Sequence, residues 1–265
     1  MPDRDQLVIR SGDELLQPTT RRKFLGAMGA FGSVLFLPSV FTACNSDNGI
    51  TGLGTNAAAF ALDLSTDAGI LNYAYALEQL EAAYYTTALA SPGYSALSTD
   101  EKEVLSDLQK HEVIHREFFK QVLGTGRIPD ITFNLATVAT LQASRAVLLS
   151  TSQLLEDTGV SAYNGAGKYL QDANNLLIAG KIVSVEARHA AAIRDIRDST
   201  GKLFAGDDVI NTAGLDVKAE PKTVLTAVVG LNVVDTTASP LSISTQPEAS
   251  GRVAATADQP APPPT

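Results

Sequence analysis

The sequence predicts an all-α protein in which four long helices form a bundle, with a long connection between the second and third helices and a mostly irregular C-terminal extension. Three observations lead to this prediction. Apolar residues recur at alternating steps of three and four in four stretches between about residues 65 and 198, as on the buried side of packed helices. Residues that start or stop helices flank these stretches. Two of the stretches carry the same Glu-x-x-His motif within the apolar stripe, 74 residues apart.

The first two helices are predicted to form an antiparallel hairpin. Helix one covers residues 65–90, from a capping Ser or Thr to the Ser-Pro-Gly sequence at 91–93 that stops it. Helix two begins after Ser98, which forms a capping box with Glu101, and ends at Gly124. Because only a few residues separate the two helices, we expect them to pack side by side in opposite directions.

A longer segment joins helices two and three. Residues 124–134 contain a proline and no helical apolar pattern, and fully extended they reach roughly 35 Å. This is enough to run the length of a bundle and start the third helix parallel to the second, although a simple loop also fits. Helix three is predicted from about Leu135 to a point between residues 158 and 164, with Gly159 as an ambiguous stop. Helix four is predicted over residues 171–198.

The chain divides into five predicted segments. In order, these are an export signal over residues 1–43, a flexible tether over 44–62, the bundle over 63–200, an extension over 201–245 that packs on the bundle, and a disordered proline-rich tail over 246–265. Within the extension, a proline in the first turn predicts a short helix over residues 221–231, and residues 233–244 have the character of a strand.

The N-terminal residues predict export and lipid attachment. Residues 20–25 match the twin-arginine export signal through Arg21 and Arg22. The apolar run over 26–41 is shorter than the about 20 residues of a membrane-spanning helix. It leads to Phe-Thr-Ala-Cys, ending at Cys44, which resembles a bacterial lipobox, with phenylalanine in place of the usual leucine. We expect a protein of the cell envelope, anchored through Cys44 and facing the periplasm or the cell exterior. The alternative is an ordinary basic leader and an unpaired thiol.

Charge and cysteine content limit the classes of function. The chain has a net charge of −9, and without residues 1–43 it keeps 15 basic and 25 acidic residues. Such a surface repels nucleic acid and attracts cations, so we expect no nucleic-acid partner. A single cysteine cannot form a disulfide framework.

Acidic side chains and histidines fall within the apolar stripes of all four predicted helices. A buried carboxylate or imidazole is costly unless it is paired or binds a metal, so these residues are candidate metal ligands. Periodicity does not choose between the two glutamates of helix one. The candidates are Glu78 or Glu81 on helix one, Glu112 and His115 on helix two, Glu156 on helix three, and Glu186 and His189 on helix four. The chain reads Glu, 33 residues, Glu-x-x-His and then Glu, 29 residues, Glu-x-x-His, which is an internal duplication of a ligand pattern.

This pattern resembles the di-metal carboxylate site of ferritin-like four-helix bundles, in which two helices each supply a Glu and the other two each supply Glu-x-x-His. The resemblance covers roughly residues 60–200. The sequences at 155–165 and 185–191 are similar to the secreted ferritin-like branch that includes plant desiccation-related proteins. In the wider family a tyrosine commonly follows the first-helix ligand by seven residues. Here Tyr85 stands seven residues after Glu78, which favours that glutamate over the alternative.

The resemblance implies roles for the ligands. By this resemblance, Glu112 and Glu186 bridge the two ions. Glu78 and Glu156 are terminal carboxylates, and His115 and His189 each bind one ion. The implied cofactor is two iron ions, with manganese as an option. The implied activity is iron binding and reaction with dioxygen or peroxide, as an oxidase or ferroxidase. Glu81, His111 and Tyr85 are alternative ligands or residues that contact a ligand.

Two other functions stay open on the sequence. One is a non-catalytic stress- or desiccation-related module of the envelope that uses the ferritin-like scaffold for binding or structure. The other is a zinc protease, because residues 111–115 spell His-Glu-x-x-His, with His111 and His115 on zinc and Glu112 as general base. That hypothesis lacks a third ligand and leaves the second Glu-x-x-His motif unused. The oligomeric state is also open, with a dimer as one option.

Overall fold

Seven helices make up most of the described part of the chain, which in this computed structural model is residues 57–198 and 200–247. The helices are α1 (Asp67–Ala88), α2 (Pro92–Ser95), α3 (Thr99–Leu123), α4 (Leu135–Thr140), α5 (Arg145–Ala166), α6 (Ala173–Arg197) and α7 (Pro221–Gly230). The other elements are the strands β1 (Ala61–Asp63) and β2 (Ser242–Thr245) and 3-10 turns at Ala57–Phe60, Gly124–Gly126 and Gly167–Tyr169. The four long helices α1, α3, α5 and α6 form the bundle, so the predicted all-α class is confirmed.

Local hydrogen bonds explain where the first two long helices begin and end. The Thr66 hydroxyl caps α1 by accepting from the Gly69 N–H at 3.1 Å. At the start of α3, Ser98 and Glu101 accept each other's backbone N–H, which confirms the predicted capping box. Gly124 ends α3 with a φ of 51°, a left-handed conformation that glycine adopts without steric cost. The two helices pack against each other as the predicted hairpin.

The connection after α3 runs back along the whole of α1. Near the start of α1, the Asn72 side chain accepts from the Ile128 N–H at 2.7 Å. Half-way along, Gln79 accepts from another backbone N–H of the connection at 2.8 Å. Near the end of α1, the Gln142 side chain donates to the Tyr84 carbonyl at 2.8 Å. Asn72 and Gln79 thus satisfy backbone N–H groups of the connection, and Gln142 ties the connection to a backbone carbonyl of α1.

Because of this connection, α5 runs parallel to α3. Arg145, the first residue of α5, forms an ion pair with Glu101 in the first turn of α3, with Nε 3.0 Å from the carboxylate. The two helices therefore start at the same end of the bundle. The predicted long connection is confirmed, and the simple loop is excluded.

The predicted third helix starts at Leu135 as expected, but it is not continuous. It ends as the short α4, and α5 restarts five residues later. The break follows from Gln142, which turns its side chain into α1, and from Ser144, which caps α5 by accepting from the Val147 N–H. Helix α5 then passes through Gly159, so this glycine is not a stop.

The end of the predicted tether belongs to the folded domain. Strand β1 pairs in parallel with β2, with Leu62 opposite Ile243. Leu62, in the middle of β1, is buried, and so are Phe60 and Leu64 on either side of the strand. The prediction that residues 44–62 form a flexible tether is therefore wrong at its C-terminal end. The rest of that segment lies outside the described residues.

The chain after residue 200 packs on the bundle through backbone and ionic contacts. The Ala219 N–H donates to the Ser161 carbonyl at 2.9 Å. Arg194 on α6 is only 2% exposed and donates to the carboxylates of both Asp157 and Asp208. The predicted short helix is present as α7, and β2 occupies the end of the predicted strand.

Several sequence predictions concern residues outside the described ranges. These are the export signal with Arg21 and Arg22, the lipobox at Cys44, and the proline-rich tail from residue 248 onward. Among the helices of residues 57–247, none is both long and apolar enough to cross a membrane.

Candidate metal centre

Six side chains from the four long helices meet inside the bundle. All six are buried: the four glutamates have no exposed surface, and the two histidines are 9% and 3% exposed. They are Glu78 on α1, Glu112 and His115 on α3, Glu156 on α5, and Glu186 and His189 on α6. The apolar residues that share their stripes are buried with them, for example Phe119 on α3 and Ile193 on α6. The heptad spacing therefore positions the polar side chains toward the core.

One group of side chains surrounds His115. Its Nδ1 lies 2.9 Å from Oε1 of Glu186 and 3.6 Å from Oε2 of Glu112. Oε2 of Glu78 completes the group at 3.4 Å from the same nitrogen.

A second, equivalent group surrounds His189. Its Nδ1 lies 2.8 Å from Oε1 of Glu112 and 3.8 Å from Oε2 of Glu186, and Oε2 of Glu156 is 3.4 Å away. Glu112 and Glu186 thus each direct one oxygen to each histidine, whereas the other two glutamates belong to one group only. In each group, the four potential ligand atoms lie within 4.8 Å of one another.

The buried polar atoms of both groups face one another and, in the described part of the chain, have no hydrogen-bond partner outside the two groups. Within the described residues, these atoms are both carboxylate oxygens of Glu112, Glu156 and Glu186, Oε2 of Glu78, and Nδ1 of both histidines. Buried polar atoms are normally hydrogen-bonded, and a cluster of exceptions calls for an ion or a functional role. Carboxylate oxygens with one imidazole nitrogen per group are suitable ligands for iron and manganese. The residues present therefore fit a pair of metal ions.

Comparison with known families agrees with this arrangement. A family model described as a ferritin-like domain matches residues 66–199, about half of the chain. The chain belongs to the ferritin-like domain family. The match covers the four long helices and all six side chains of the two groups. No curated protein matches the chain.

The pKa values of the side chains in the two groups are shifted by burial and by neighbouring charges. Burial, reinforced by the charges of Glu112 and Glu78, raises the pKa of Glu186 well above its usual range. Burial likewise raises the pKa of Glu78 to about 7. For His189, burial lowers the pKa, but the carboxylates of Glu156 and Glu112 outweigh it and raise the pKa to about 11. Without metal, the centre therefore holds protons that incoming cations must displace.

Two tyrosines contact the carboxylates that belong to one group only. Tyr163 on α5 donates its hydroxyl to Oε1 of Glu78 on α1. Conversely, Tyr85 on α1 is buried beside Glu156 on α5, and burial and this carboxylate raise the pKa of Tyr85. Each tyrosine follows a glutamate of its own helix by seven residues and contacts the glutamate of the other helix. Tyr85 was predicted from this spacing and Tyr163 was not, although Tyr163 stands at the same spacing from Glu156.

Glu81 is buried near the site but belongs to neither group. It is 3% exposed and packs against Gly159 of α5: a Cβ added at this glycine would lie 3.1 Å from Oε1 of Glu81. Glu81 is in neither group of potential ligands. Burial, together with the charges of Glu186 and Glu112, raises the pKa of Glu81 well above its usual range. Of the two glutamates that the sequence offered on helix one, the structure places Glu78 among the potential ligands.

His111 lies at the edge of the site. It is exposed, and its Nδ1 lies 2.9 Å from Nε2 of His189, with the two ring planes nearly parallel. It belongs to neither group of potential ligands among the described residues. A zinc protease site would need the imidazoles of His111 and His115 on one ion, and this part of the chain does not form such a site.

Proposed function

We propose that this ferritin-like protein binds two iron ions at the bundle centre and reacts them with dioxygen or peroxide. One observation carries the proposal: the two groups of buried glutamate and histidine atoms that face one another and have no hydrogen-bond partner among the described residues outside the two groups. Burying several carboxylates together is unfavourable on its own. Four carboxylates balance the four positive charges of two divalent ions, which offsets that cost.

The six side chains divide into bridging and terminal ligands. Glu112 and Glu186, which face both histidines, would bridge the ions, Glu78 with His115 would hold one ion, and Glu156 with His189 would hold the other. Bound iron would supply the electrons for reduction of dioxygen or peroxide, and manganese suits the same oxygen-rich ligand set.

The surrounding residues orient the carboxylates and exclude water. Tyr163 donates to the Glu78 oxygen that does not face the histidine, which fixes the orientation of that carboxylate. Phe119 and Ile193, one helical turn after each histidine, are buried and apolar. An apolar cleft is lined partly by Leu77, Phe119 and Tyr163, and of these residues Tyr163 also contacts Glu78. A small apolar molecule such as dioxygen suits such a cleft.

Metal content tests the proposal directly. The purified protein is loaded anaerobically with ferrous iron and desalted, and we expect about two irons per chain. Glu112→Ala and Glu186→Ala should each lose this iron, because each removes a ligand shared by both ions. Glu117→Ala is the matched control, since Glu117 lies on α3 but is exposed and paired with Arg116. Oxygen consumption by the loaded protein then tests the reaction.

The possible outcomes separate the alternatives. Unchanged iron uptake in both the Glu112 and Glu186 variants would refute the assigned ligands. One zinc per chain that depends on His111 would favour a protease. A protein that takes up no metal and keeps its stability would favour the non-catalytic envelope module of the desiccation-related type.

We also propose that the protein is exported by the twin-arginine route and anchored in the envelope by a lipid on Cys44. The support is the order of the sequence features: Arg21-Arg22, an apolar run, and then the cysteine. Replacing both arginines by lysine should retain the protein in the cytoplasm, and Cys44→Ala should abolish lipid attachment. Mass spectrometry of the N-terminal peptide checks the lipid, and an exported wild-type protein with a free Cys44 thiol would contradict the anchor.

A further inference from the structure

The two halves of the metal centre differ at the outer nitrogens of the histidines. Nε2 of His189 lies 2.9 Å from Nδ1 of His111, within hydrogen-bond distance, and the planes of the two rings are parallel to within 4°. Nε2 of His115 makes no comparable hydrogen bond to any described residue. The inner nitrogens of both histidines, by contrast, have equivalent carboxylate neighbours.

The sequence explains this difference. In the first Glu-x-x-His motif the residue before the glutamate is His111, whereas in the second it is Val185. His111 on α3 contacts the histidine of α6. By the internal duplication, the residue equivalent to His111 for His115 is Val185, whose side chain cannot accept a hydrogen bond. The pattern of potential ligands is therefore duplicated, but among the described residues the hydrogen bond at the outer histidine nitrogen is present for His189 and not for His115.

The hydrogen bond determines which nitrogen of His189 is free to bind metal. Nδ1 of His189 faces the carboxylates, so as a ligand it must lack a proton, and the ring proton must then be on Nε2. That Nε2–H donates to Nδ1 of His111, which accepts. A partner at the outer nitrogen fixes both the tautomer and the orientation of a ligating imidazole.

We propose that His111 is a positioning residue that holds His189 as a metal ligand, and that it makes the two ion positions unequal. This inference rests on the proposed function, because it concerns the same pair of ions. The ion held by His189 and Glu156 depends on His111, whereas the ion held by His115 and Glu78 does not.

Anaerobic titration of the metal-free protein with ferrous iron, against a competing chelator, tests this inference. His111→Leu keeps the bulk and removes the acceptor, and His111→Ala repeats the deletion without added apolar bulk. We expect roughly 10- to 100-fold weaker binding in one of the two binding steps and no change in the other. His111→Asn should restore binding, since its side-chain oxygen can take the place of Nδ1. Lys110→Ala, at the exposed neighbouring residue, is the control.

A double variant assigns the affected step. In a His189→Ala background, His111→Leu should cause no further loss, whereas in a His115→Ala background it should still weaken the remaining step. Equal weakening of both steps, no weakening, or failure of His111→Asn to restore binding would overturn the inference. A wild-type protein that does not bind two ions would instead refute the proposed function, so the two failures are distinguishable.

Discussion

At the residue scale, single hydroxyl groups orient the carboxylates of the centre. Glu78 has one oxygen that faces His115 and another that accepts from Tyr163. A carboxylate held at one oxygen presents the other in a fixed direction, and loss of such a contact typically weakens metal binding by about 10- to 100-fold. The tyrosine contacts therefore predict a graded effect on metal affinity and no loss of the fold.

We predict that Tyr163→Phe weakens the binding of one ion by roughly tenfold and leaves the other nearly unchanged. The physical reason is that phenylalanine keeps the buried ring but removes the hydroxyl that holds Glu78. Metal titration of the variant measures the effect. Tyr94→Phe is the control, because the Tyr94 hydroxyl donates to the Lys102 carbonyl away from the centre. If the two variants bind metal equally well, Tyr163 does not orient a ligand.

A second residue-scale prediction concerns the pH dependence of Glu81. Burial raises its folded-state pKa above the ordinary value of 4.5, so folding favours its protonated form. The stability of the metal-free protein should therefore fall as the pH rises above the ordinary carboxyl range. Glu81→Gln should abolish this loss of stability at high pH, because glutamine is neutral at every pH and of similar size.

Thermal unfolding of the metal-free protein across pH checks this expectation. Glu81→Gln should unfold at a higher temperature than the wild type at about pH 8, with the difference vanishing near pH 4 where both side chains are neutral. The exposed Glu117→Gln should show no such trend. A difference that is the same at every pH would mean that the substitution acts through packing.

At the element scale, the sequence predicted the ends of helices better than it predicted the contacts between elements, because helix ends depend on local signals. Ser98 and Glu101 interact within one helical turn, so their capping box could be read directly from the sequence. The break between α4 and α5 could not, because it depends on Gln142 reaching the Tyr84 carbonyl, 58 residues away. The burial of Leu62 similarly depends on β2, which lies near the other end of the described chain.

Amide side chains of α1 fix the connection between α3 and α4 through hydrogen bonds to its backbone. Asn72→Leu should destabilise the protein by about 1–3 kcal/mol, because it leaves the buried Ile128 N–H without its acceptor. Urea unfolding measures the loss, and faster hydrogen exchange at the Ile128 amide locates it. Asn174→Leu, on the exposed start of α6, is the control. Equal stability of the two variants would show that Asn72 does not hold the connection.

At the scale of the whole molecule, the bundle consists of two helix pairs that supply the same set of potential ligands. The pair α1 and α3 contributes Glu78 and the first motif, and the pair α5 and α6 contributes Glu156 and the second. The duplication predicted which residue types would meet, because heptad spacing alone positions them in the core. The contacts of Tyr163 and His111 cross between the pairs, and spacing within one helix does not determine such contacts.

Metal loading of the whole bundle should be coupled to proton release. In the metal-free protein, carboxylates raise the pKa of His189 to about 11, and burial raises the pKa of Glu186 and of Glu156. Ligand atoms must lose these protons to bind cations, so protons and metal compete, and metal affinity should rise with pH. We expect release of at least about two protons per chain on loading near pH 7, which is below the raised pKa values of both histidines.

Calorimetric titration with ferrous iron, in buffers of different ionisation enthalpy, counts these protons. Glu117→Ala should release as many as the wild type, because the exposed Glu117 lies outside the centre. Loading should also raise the unfolding temperature, and a chelator should reverse this gain, because the ions bind only where the four long helices meet. Metal binding without proton release, at an affinity independent of pH between about 6 and 8, would place the ions outside the buried centre.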